Sequence, residues 1–501
     1  MPRARQASQA TNLLFICSDQ HSRHILGAYG NPIVCTPNLD ALAARGTLFR
    51  NAYTNTPICV PARACLATGR YAHTIDSWDN GTPYVGTEAP SWGHRLLEQG
   101  HRVTTIGKLH YRKPEDPTGF PDQRLPMHVL HGIGDPYGIL RDRMPVLSQS
   151  RLTVLQAGPG ESEYTRYDRA VCAESVKWLQ TEAKIHASRA EHGRNEEPWA
   201  LFVSFVHPHF PLTVPQEYLD LYPPESIPMP VCWRPEEWAT HPALTWKRNI
   251  QALDEPLDEP AIRRALAVYY GMVTFLDEQI GKVLNALRES GLEERTRVIY
   301  TSDHGDMMGE HGLWFKSVMY DGAAGIPMIV AGPDVPAGKV SHTNVSLVDC
   351  FPSIVEAVGA QLAEEDASLP GRSLFALARE GSVERTVFSE YHAIYASCGI
   401  FMVRHGHHKL VHYADTTRQH HYLPQLFDLK ADPDERRDLA ANPALAAIRT
   451  ECERVLHTVC IPEEVDHRAR THQAARIKTA GGAAALIAAG PKFAYTPPPS
   501  A

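Results

Sequence analysis

The apolar positions along the chain fall into two rhythms. Short unbroken runs occupy residues 13–17, 103–106, 200–206, 298–302 and 327–331. Runs of this length are too short for helices and read as strands buried on both faces. Helical patterns lie between them. Residues 37–45 and 91–98 are short ones, and 167–191 and 261–289 are long. In the last, Leu266, Tyr270, Val273, Leu276, Ile280, Leu284 and Leu287 recur at three- and four-residue steps. That spacing makes one apolar helix face, and its aromatic residues belong to a core. Strands alternating with helices predict an α/β fold with a largely parallel sheet covered on both sides.

The texture changes near residue 375. Four β-like runs follow closely, at 387–391, 399–403, 409–413 and 425–429, and predict a small antiparallel sheet. Residues 439–459 read as a closing helix, and 480–501 as an Ala-, Gly- and Pro-rich tail. The expected organisation is a catalytic domain over 1–375, a subdomain over 376–460 and a tail over 461–501. The tail could dock on a neighbouring subunit of a dimer or tetramer.

Composition narrows the class. At 501 residues the chain exceeds a single small core, and 43% hydrophobic with 21% charged residues is ordinary for a globular protein. The net charge of −8 and the absence of a basic block argue against nucleic acid or an anionic membrane as partner. The N-terminal apolar run is too short for a signal-peptide core, and nothing approaches a membrane span, so a cytoplasmic protein is expected. The ten cysteines form no C-x-x-C pair and show no zinc spacing, so most read as small buried hydrophobes.

The chemistry collects after the strands. Asp19-Gln20 follows the first run, Gly107-Lys108-Leu109-His110 the second, His207-Pro208-His209 the third and Asp303-His304-Gly305-Asp306 the fourth. In open α/β sheets ligands bind at the carboxyl ends of strands, so four strands delivering such residues to one edge make a site. Asp19, Asp303 and His304, with Gln20 as a weaker candidate, suit a divalent cation. Arg63, Lys108, His110, His209 and Lys316 suit a tetrahedral oxyanion. A metal facing a ring of cations suits an ester of sulfate or phosphate.

Cys59 stands out among the cysteines. Pro61 suits a first helical position, which would put Cys59 just ahead of a helix with Arg63 in its first turn. Free N–H groups and an arginine there would lower a thiol pKa, so a nucleophile is expected at residue 59. Residue types alone do not say that the attacking atom is sulfur.

The stretch CVPARACLATGR, residues 59–70, resembles the sulfatase motif C-x-P-x-R followed by T-G-R. TSDHGDMMGEHGLWFK resembles a second block of type I sulfatases, and GKLH, PHFP and QLFDLKADPDERRDLA are similar to further segments. The similarity runs from about residue 12 to about residue 445. It implies an alkaline-phosphatase-like fold, with a mixed, mostly parallel sheet between helix layers and a small C-terminal α/β subdomain. It also implies that a formylglycine-generating enzyme oxidises Cys59 to formylglycine, whose hydrate is the nucleophile. Arg63 would hold that hydrate, and Asp19, Gln20, Asp303 and His304 would hold the metal, usually calcium. Asp303 would also take the proton of the attacking hydroxyl. Lys108 and Lys316 would bind sulfate oxygens, and His209 would assist the leaving alcohol. His110 would deprotonate the second hydroxyl so that sulfate is expelled without attack by water.

Departures matter. Asp19-Gln20 and Asp303-His304 stand where many relatives have Asp-Asp and Asp-Asn. The pattern is closer to choline-sulfatase-like and phosphonate-monoester-hydrolase branches, and the nitrogen of His304 makes manganese an alternative to calcium. Asn80 sits where those branches place an active-site Asn. The phosphonate branch tends to replace Lys108 and His110 by hydroxyl residues, so their presence favours a small-molecule sulfate monoester. A phosphonate monoester or phosphodiester hydrolase, and a non-catalytic binder of sulfated ligands, remain as alternatives. His207 competes with His209, and His311 reads as a support. Trp78, Tyr84, Tyr111 and Trp314 are candidate pocket walls. His405, His407, His408, His412, His420 and His421 read as a solvated strand and loop rather than a second metal site, with His405 and His407 on one face and His408 and His412 on the other.

Overall fold

The computed structural model describes residues 10–192, 197–414, 416, 422–491 and 496–499. Its main sheet has eight strands: β1 (Asn12–Ser18), β2 (Gly46–Tyr53), β3 (Arg102–Lys108), β4 (Asp122–Met127), β5 (Trp199–Ser204), β6 (Thr296–Ser302), β7 (Met328–Ala331) and β8 (Lys339–Ser346). Their order is β8-β2-β7-β6-β1-β5-β3-β4. Only β7 runs against its neighbours, and every other pairing in this sheet is parallel. The four strands followed by the chemistry, β6, β1, β5 and β3, are therefore adjacent and end on the same edge.

Period-two alternation explains the two buried faces. Leu13, Phe15 and Cys17 pack with Phe202 and Ile299 against the helices Trp92–Glu98, Cys350–Ala357 and Leu374–Glu380. Leu14 and Ile16 pack with Leu201 and Val298 against the helices Pro37–Ala44, Glu163–Glu191 and Glu259–Glu289. The long helices begin at side-chain caps. Ser162 Oγ accepts the Thr165 N–H at 3.0 Å, and Asp258 Oδ1 accepts the Ala261 N–H at 2.8 Å.

Strands β2, β4 and β8 were not foreseen. The edge strands β4 and β8 read DQRLPM and KVSHTNVS. Neither has an apolar run, and a proline is tolerated at an edge where a central strand would exclude it. The helix expected over 439–459 is shorter, Ala446–Val459, because Pro443 opens a separate 3₁₀ turn capped by Asn442.

The second sheet is antiparallel, with β9 (Thr386–Tyr391), β10 (Gly399–His405), β11 (His408–Ala414) and β12 (Gln425–Asp428) in chain order. Phe388, Phe401, Leu410 and Leu426 pack on one side against Cys452, Leu456, Val465 and Ala469 of two helices. The other face meets the catalytic domain through Tyr391, Met402 and Phe427. The histidine pattern differs from expectation. Residues 406 and 407 form the hairpin turn, so His405 and His408 face each other across it. His412 Nε2 bonds Glu463 at 2.9 Å, and His407 Nε2 lies 3.9 Å from Asp428 on the exposed surface. His420 and His421 lie outside the described residues.

Lys409 joins the two parts. It is fully buried, and its Nζ reaches Asp321 at 2.7 Å, Glu435 at 2.6 Å and the Met319 carbonyl at 2.7 Å. Lys409→Met should cost about 3–5 kcal/mol in urea unfolding, because it leaves the buried Glu435 without its cation and Asp321 to its ion pair with Arg23. A loss below about 1 kcal/mol would show that Lys409 does not hold the subdomain in place.

The segment expected to be a tail contains structure. An 18-residue helix, Pro462–Thr479, and a short helix, Ala483–Ala489, pack on the same chain. Polar Arg, His and Glu residues dominate the first helix, so its narrow apolar stripe of Val465, Ala469 and Ile477 carried little signal.

Candidate active site

Cys59 is the first residue of the helix Cys59–Thr68, and Ile58 is its N-cap. Pro61 therefore stands at the third helical position, not the first, where its missing N–H is still one that no intrahelical partner needs. Asn80 Oδ1 accepts the Val60 N–H at 3.1 Å and satisfies another of these orphan donors. The T-G-R end of the motif stops the helix. Gly69 sits at φ 67° and donates to the Cys65 carbonyl at 2.8 Å, and a Cβ there would meet the Phe351 Cβ at 2.9 Å.

Around the Cys59 sulfur the strand-end residues converge. His304 Nε2 lies 3.2 Å from Sγ, Lys316 Nζ 3.5 Å and Asp19 Oδ1 3.7 Å. Ligand atoms of Asp19, Cys59, Asp303 and His304 all lie within 4.8 Å of one another, and all four residues are buried. His304 Nδ1 donates to the Gly305 carbonyl at 3.0 Å. That bond fixes the tautomer and leaves the Nε2 lone pair facing the two carboxylates, as a metal ligand needs. Burial, which outweighs Asp303, pushes the His304 pKa down and keeps the ring neutral.

The cations interleave with these groups. Lys108 Nζ pairs with Asp19 Oδ2, and Arg63 Nε donates to Asp303 Oδ2 at 2.8 Å. Arg63 is also tied to the Lys108 carbonyl at 2.7 Å and Ser204 Oγ at 2.9 Å. Burial works to raise the Asp19 pKa, but Lys108, His209, Lys316 and Arg63 together hold it well below the usual carboxylate range. The thiol behaves otherwise than expected. Burial, joined by Asp19, outweighs Lys316 and Lys108 and pushes Cys59 up to about 11. The helix terminus does not produce a thiolate here because burial dominates and two carboxylates share the pocket.

Gln20 takes a different position from the other three metal candidates. Its Oε1 accepts from Lys316 Nζ at 2.5 Å and its Nε2 donates to Asp306 Oδ2 at 2.5 Å, so it strings Lys316 to Asp306. Positive φ values cluster here, at Gln20 (67°), His110 (57°), Phe315 (63°) and Ser317 (78°). Non-glycine residues hold such conformations at a cost, which the surrounding bonds sustain.

His110 and His209 line the cavity above Cys59 with Lys108, Lys316 and Asn80. Both ring nitrogens of His110 are buried without a hydrogen-bond partner, and His209 Nδ1 donates to the Phe210 carbonyl at 2.7 Å. The ambiguity between His207 and His209 resolves by geometry. His207 Nδ1 bonds Asp168 at 2.8 Å and its ring packs on Phe275, away from the cavity lining. His311 Nε2 donates to the Asp434 carbonyl at 2.9 Å and ties the subdomain down. Trp78, Tyr84, Tyr111 and Trp314 belong to cores instead of the cavity wall. Asp306, Ser204 and Asp168 were missed as supports. Asp306 was visible in the DHGD stretch, whereas Ser204 and Asp168 carry no local signal.

The sulfatase family matches residues 11–360, and the C-terminal region of N-sulphoglucosamine sulphohydrolase matches 309–460. The chain belongs to the sulfatase family. It is a sulfuric ester hydrolase on the alkaline-phosphatase-like fold. This sulfatase is 31% identical over 445 residues to choline-sulfatase of Rhizobium meliloti, covering 86% of this chain and 83% of that one. It is 28% identical over 457 residues to arylsulfatase K of Bos taurus, covering 86% and 78%. The crystal structure of phosphonate monoester hydrolase of Agrobacterium radiobacter superposes with a TM-score of 0.67 at 25% identity, over 90% of the sulfatase and 95% of that chain.

Proposed function

We propose that the protein hydrolyses a sulfate monoester to an alcohol and inorganic sulfate at Cys59, converted to formylglycine by a formylglycine-generating enzyme. The convergence of Asp19, Asp303 and His304 with Lys108 and Lys316 on one buried sulfur carries this reading. Two carboxylates and an imidazole with its lone pair turned inward fit a divalent cation. The oxygen-rich set suits calcium, and the nitrogen ligand admits manganese. When bound, such a cation supplies charge stabilisation at a sulfate oxygen.

The chain's own groups divide the remaining work. The formylglycine hydrate supplies a hydroxyl where the sulfur now stands. Lys316, 3.5 Å from that position, and Lys108 hold sulfate oxygens. His209, with Nδ1–H donating to the Phe210 carbonyl, turns Nε2 to the cavity, where the ring first takes up a proton and then, as imidazolium, gives it to the leaving oxygen. His110, which lines the same cavity, is the base for the hydrate. Arg63 fixes Asp303 and the Lys108 backbone. Ten free cysteines suit a reducing compartment such as the cytoplasm.

Mass spectrometry of the tryptic peptide 51–63, from protein co-expressed with a formylglycine-generating enzyme, tests the modification. An unmodified thiol, under conditions that convert a control sulfatase, would remove the mechanism. Rates on aryl sulfate, phenylphosphonate ester and phosphodiester substrates separate this reading from the phosphonate alternative, which the structural likeness to a phosphonate monoester hydrolase keeps in view. Tight binding of sulfate esters without turnover by fully modified protein would favour a non-catalytic binder.

Chelation with EDTA should abolish turnover and lower the calorimetric Tm. Saturating calcium or manganese should restore both, since a ligand at about 100-fold its Kd adds roughly 2.7 kcal/mol to stability. An unchanged Tm and rate in thoroughly chelated protein would remove the cation.

A further inference from the structure

The cavity above Cys59 has a volume of about 520 Å³, within the range that encloses drug-sized ligands. Among the described residues, its floor holds every lysine that lines it, Lys108 and Lys316, and no arginine lines it at all. Among the described residues, a substrate rich in carboxylate or further sulfate groups would find no lysine or arginine beyond the floor, only the imidazole of His131. Among the described residues Asp135 is the only lining carboxylate. Its Oδ1 already accepts the Tyr137 N–H at 2.9 Å, and burial pushes its pKa up to about 6. A small cationic alcohol would meet a single carboxylate, already engaged by the Tyr137 N–H, and would leave most of the volume to water.

Much of the wall above the floor is apolar and belongs to one cluster, interrupted by Gln149, Ser150 and Gln251. Tyr137 and Leu486 pack with Leu147, Ile394 and Tyr395. Three separated segments supply them: the turn after Asp135, the subdomain loop near Ile394 and the helix Ala483–Ala489. Gly490, Pro491 and Thr496 continue along the rim, and Tyr164 Oη donates to the Thr496 carbonyl at 2.7 Å. Ile133 stands at the mouth with 61% of its surface exposed. A large apolar side chain turned to solvent beside an apolar cavity is placed to cover a ligand.

Resting on the sulfatase reading, we propose that the substrate alcohol is bulky, uncharged and apolar, such as an aryl or polycyclic alcohol. The C-terminal helix Ala483–Ala489 of the same chain forms one wall of its site. Substrate preference is thereby set largely by residues outside the catalytic edge of the sheet.

Binding tests this independently of turnover. Full-length Cys59→Ala protein would be titrated calorimetrically with phenyl sulfate, 4-phenylphenyl sulfate, choline sulfate and a monosulfated uronic acid. Burial of the second ring should lower Kd for 4-phenylphenyl sulfate at least about tenfold below phenyl sulfate. The charged esters should bind more weakly than either. Leu486→Asp in that background should raise Kd for 4-phenylphenyl sulfate about tenfold and change phenyl sulfate by less than about twofold. Ile133→Asp, at an exposed site where folding is not at risk, should shift the same ratio in the same direction. Equal affinity for the two aryl esters, tighter binding of either charged ester, or indifference to both substitutions would overturn the proposal. Failure of wild-type enzyme to cleave any sulfate ester would count against the sulfatase reading instead, and the affinity ratios would still decide the character of the pocket.

Discussion

Cys59→Ala protein, expressed alongside the maturation enzyme, should lose at least about 10⁴-fold in kcat on an aryl sulfate, the scale on which removal of a nucleophile acts. Its Tm should stay within a few degrees of the parent. The side chain is 2% exposed, but it packs among polar groups and contributes little apolar burial. The helix start is held elsewhere, by Asn80 on the Val60 N–H and by Pro61. Cys59→Ser should be nearly as inactive. It offers a hydroxyl of similar size but not a second one on the same carbon, so sulfate release would need water. Steady-state kinetics with calorimetry on the same preparations checks both, and activity comparable to the parent in the alanine variant would sink the mechanism.

Lys316→Ala should lower kcat by about 10²–10³-fold and raise KM, the size of effect seen when one preorganised charge or donor is withdrawn from developing negative charge. The ammonium is 9% exposed, 2.5 Å from Gln20 Oε1 and 3.5 Å from the reacting position. It also lies 5.2 Å from the Phe210 ring centroid, which shields it from water. Lys316→Arg should not restore activity. The planar guanidinium does not reproduce the compact ammonium that sits 2.5 Å from Gln20 Oε1 and 3.5 Å from Cys59 Sγ. Unchanged kcat and KM in the alanine variant would take Lys316 out of the reaction.

The catalytic edge was legible because its residues follow strands with unmistakable apolar runs, and because parallel neighbours end on one side. Asp19, Lys108, His209 and Asp303 are each within a few residues of such a run. The helix beginning at Cys59 was legible for a different reason, since Pro61 and Gly69 punctuate it. The supports were harder. Asp168 sits inside a long helix, and nothing local distinguishes it from a surface acid, yet it receives the Val206 and His207 N–H groups at 2.8 Å. The substrate walls were misread because aromatic residues next to motif residues were expected to follow them into the pocket. Instead Trp78 and Trp314 turn into cores, and the cavity takes Tyr137, Tyr395 and Leu486 from segments far away in sequence. Proximity along the chain is informative for catalytic groups on strand ends. It is not for walls assembled from loops and a terminal helix.

On the proposed formylglycine reading, the burial of Cys59 sets a clock on its own maturation. The groups that enclose it, Asp303, His304 and Lys316, arrive more than two hundred residues later in synthesis, and β1 pairs with β6 only after Ser302 has been made. At about 5–20 residues per second this leaves roughly ten to fifty seconds between the emergence of the motif and closure of the site. An oxidising enzyme must reach the cysteine in that interval, because the folded chain offers almost no surface to hold. On the proposed reading, the fraction of active enzyme is decided by a race between translation and modification. Codon choice between positions 59 and 303 would then change specific activity without changing a single amino acid.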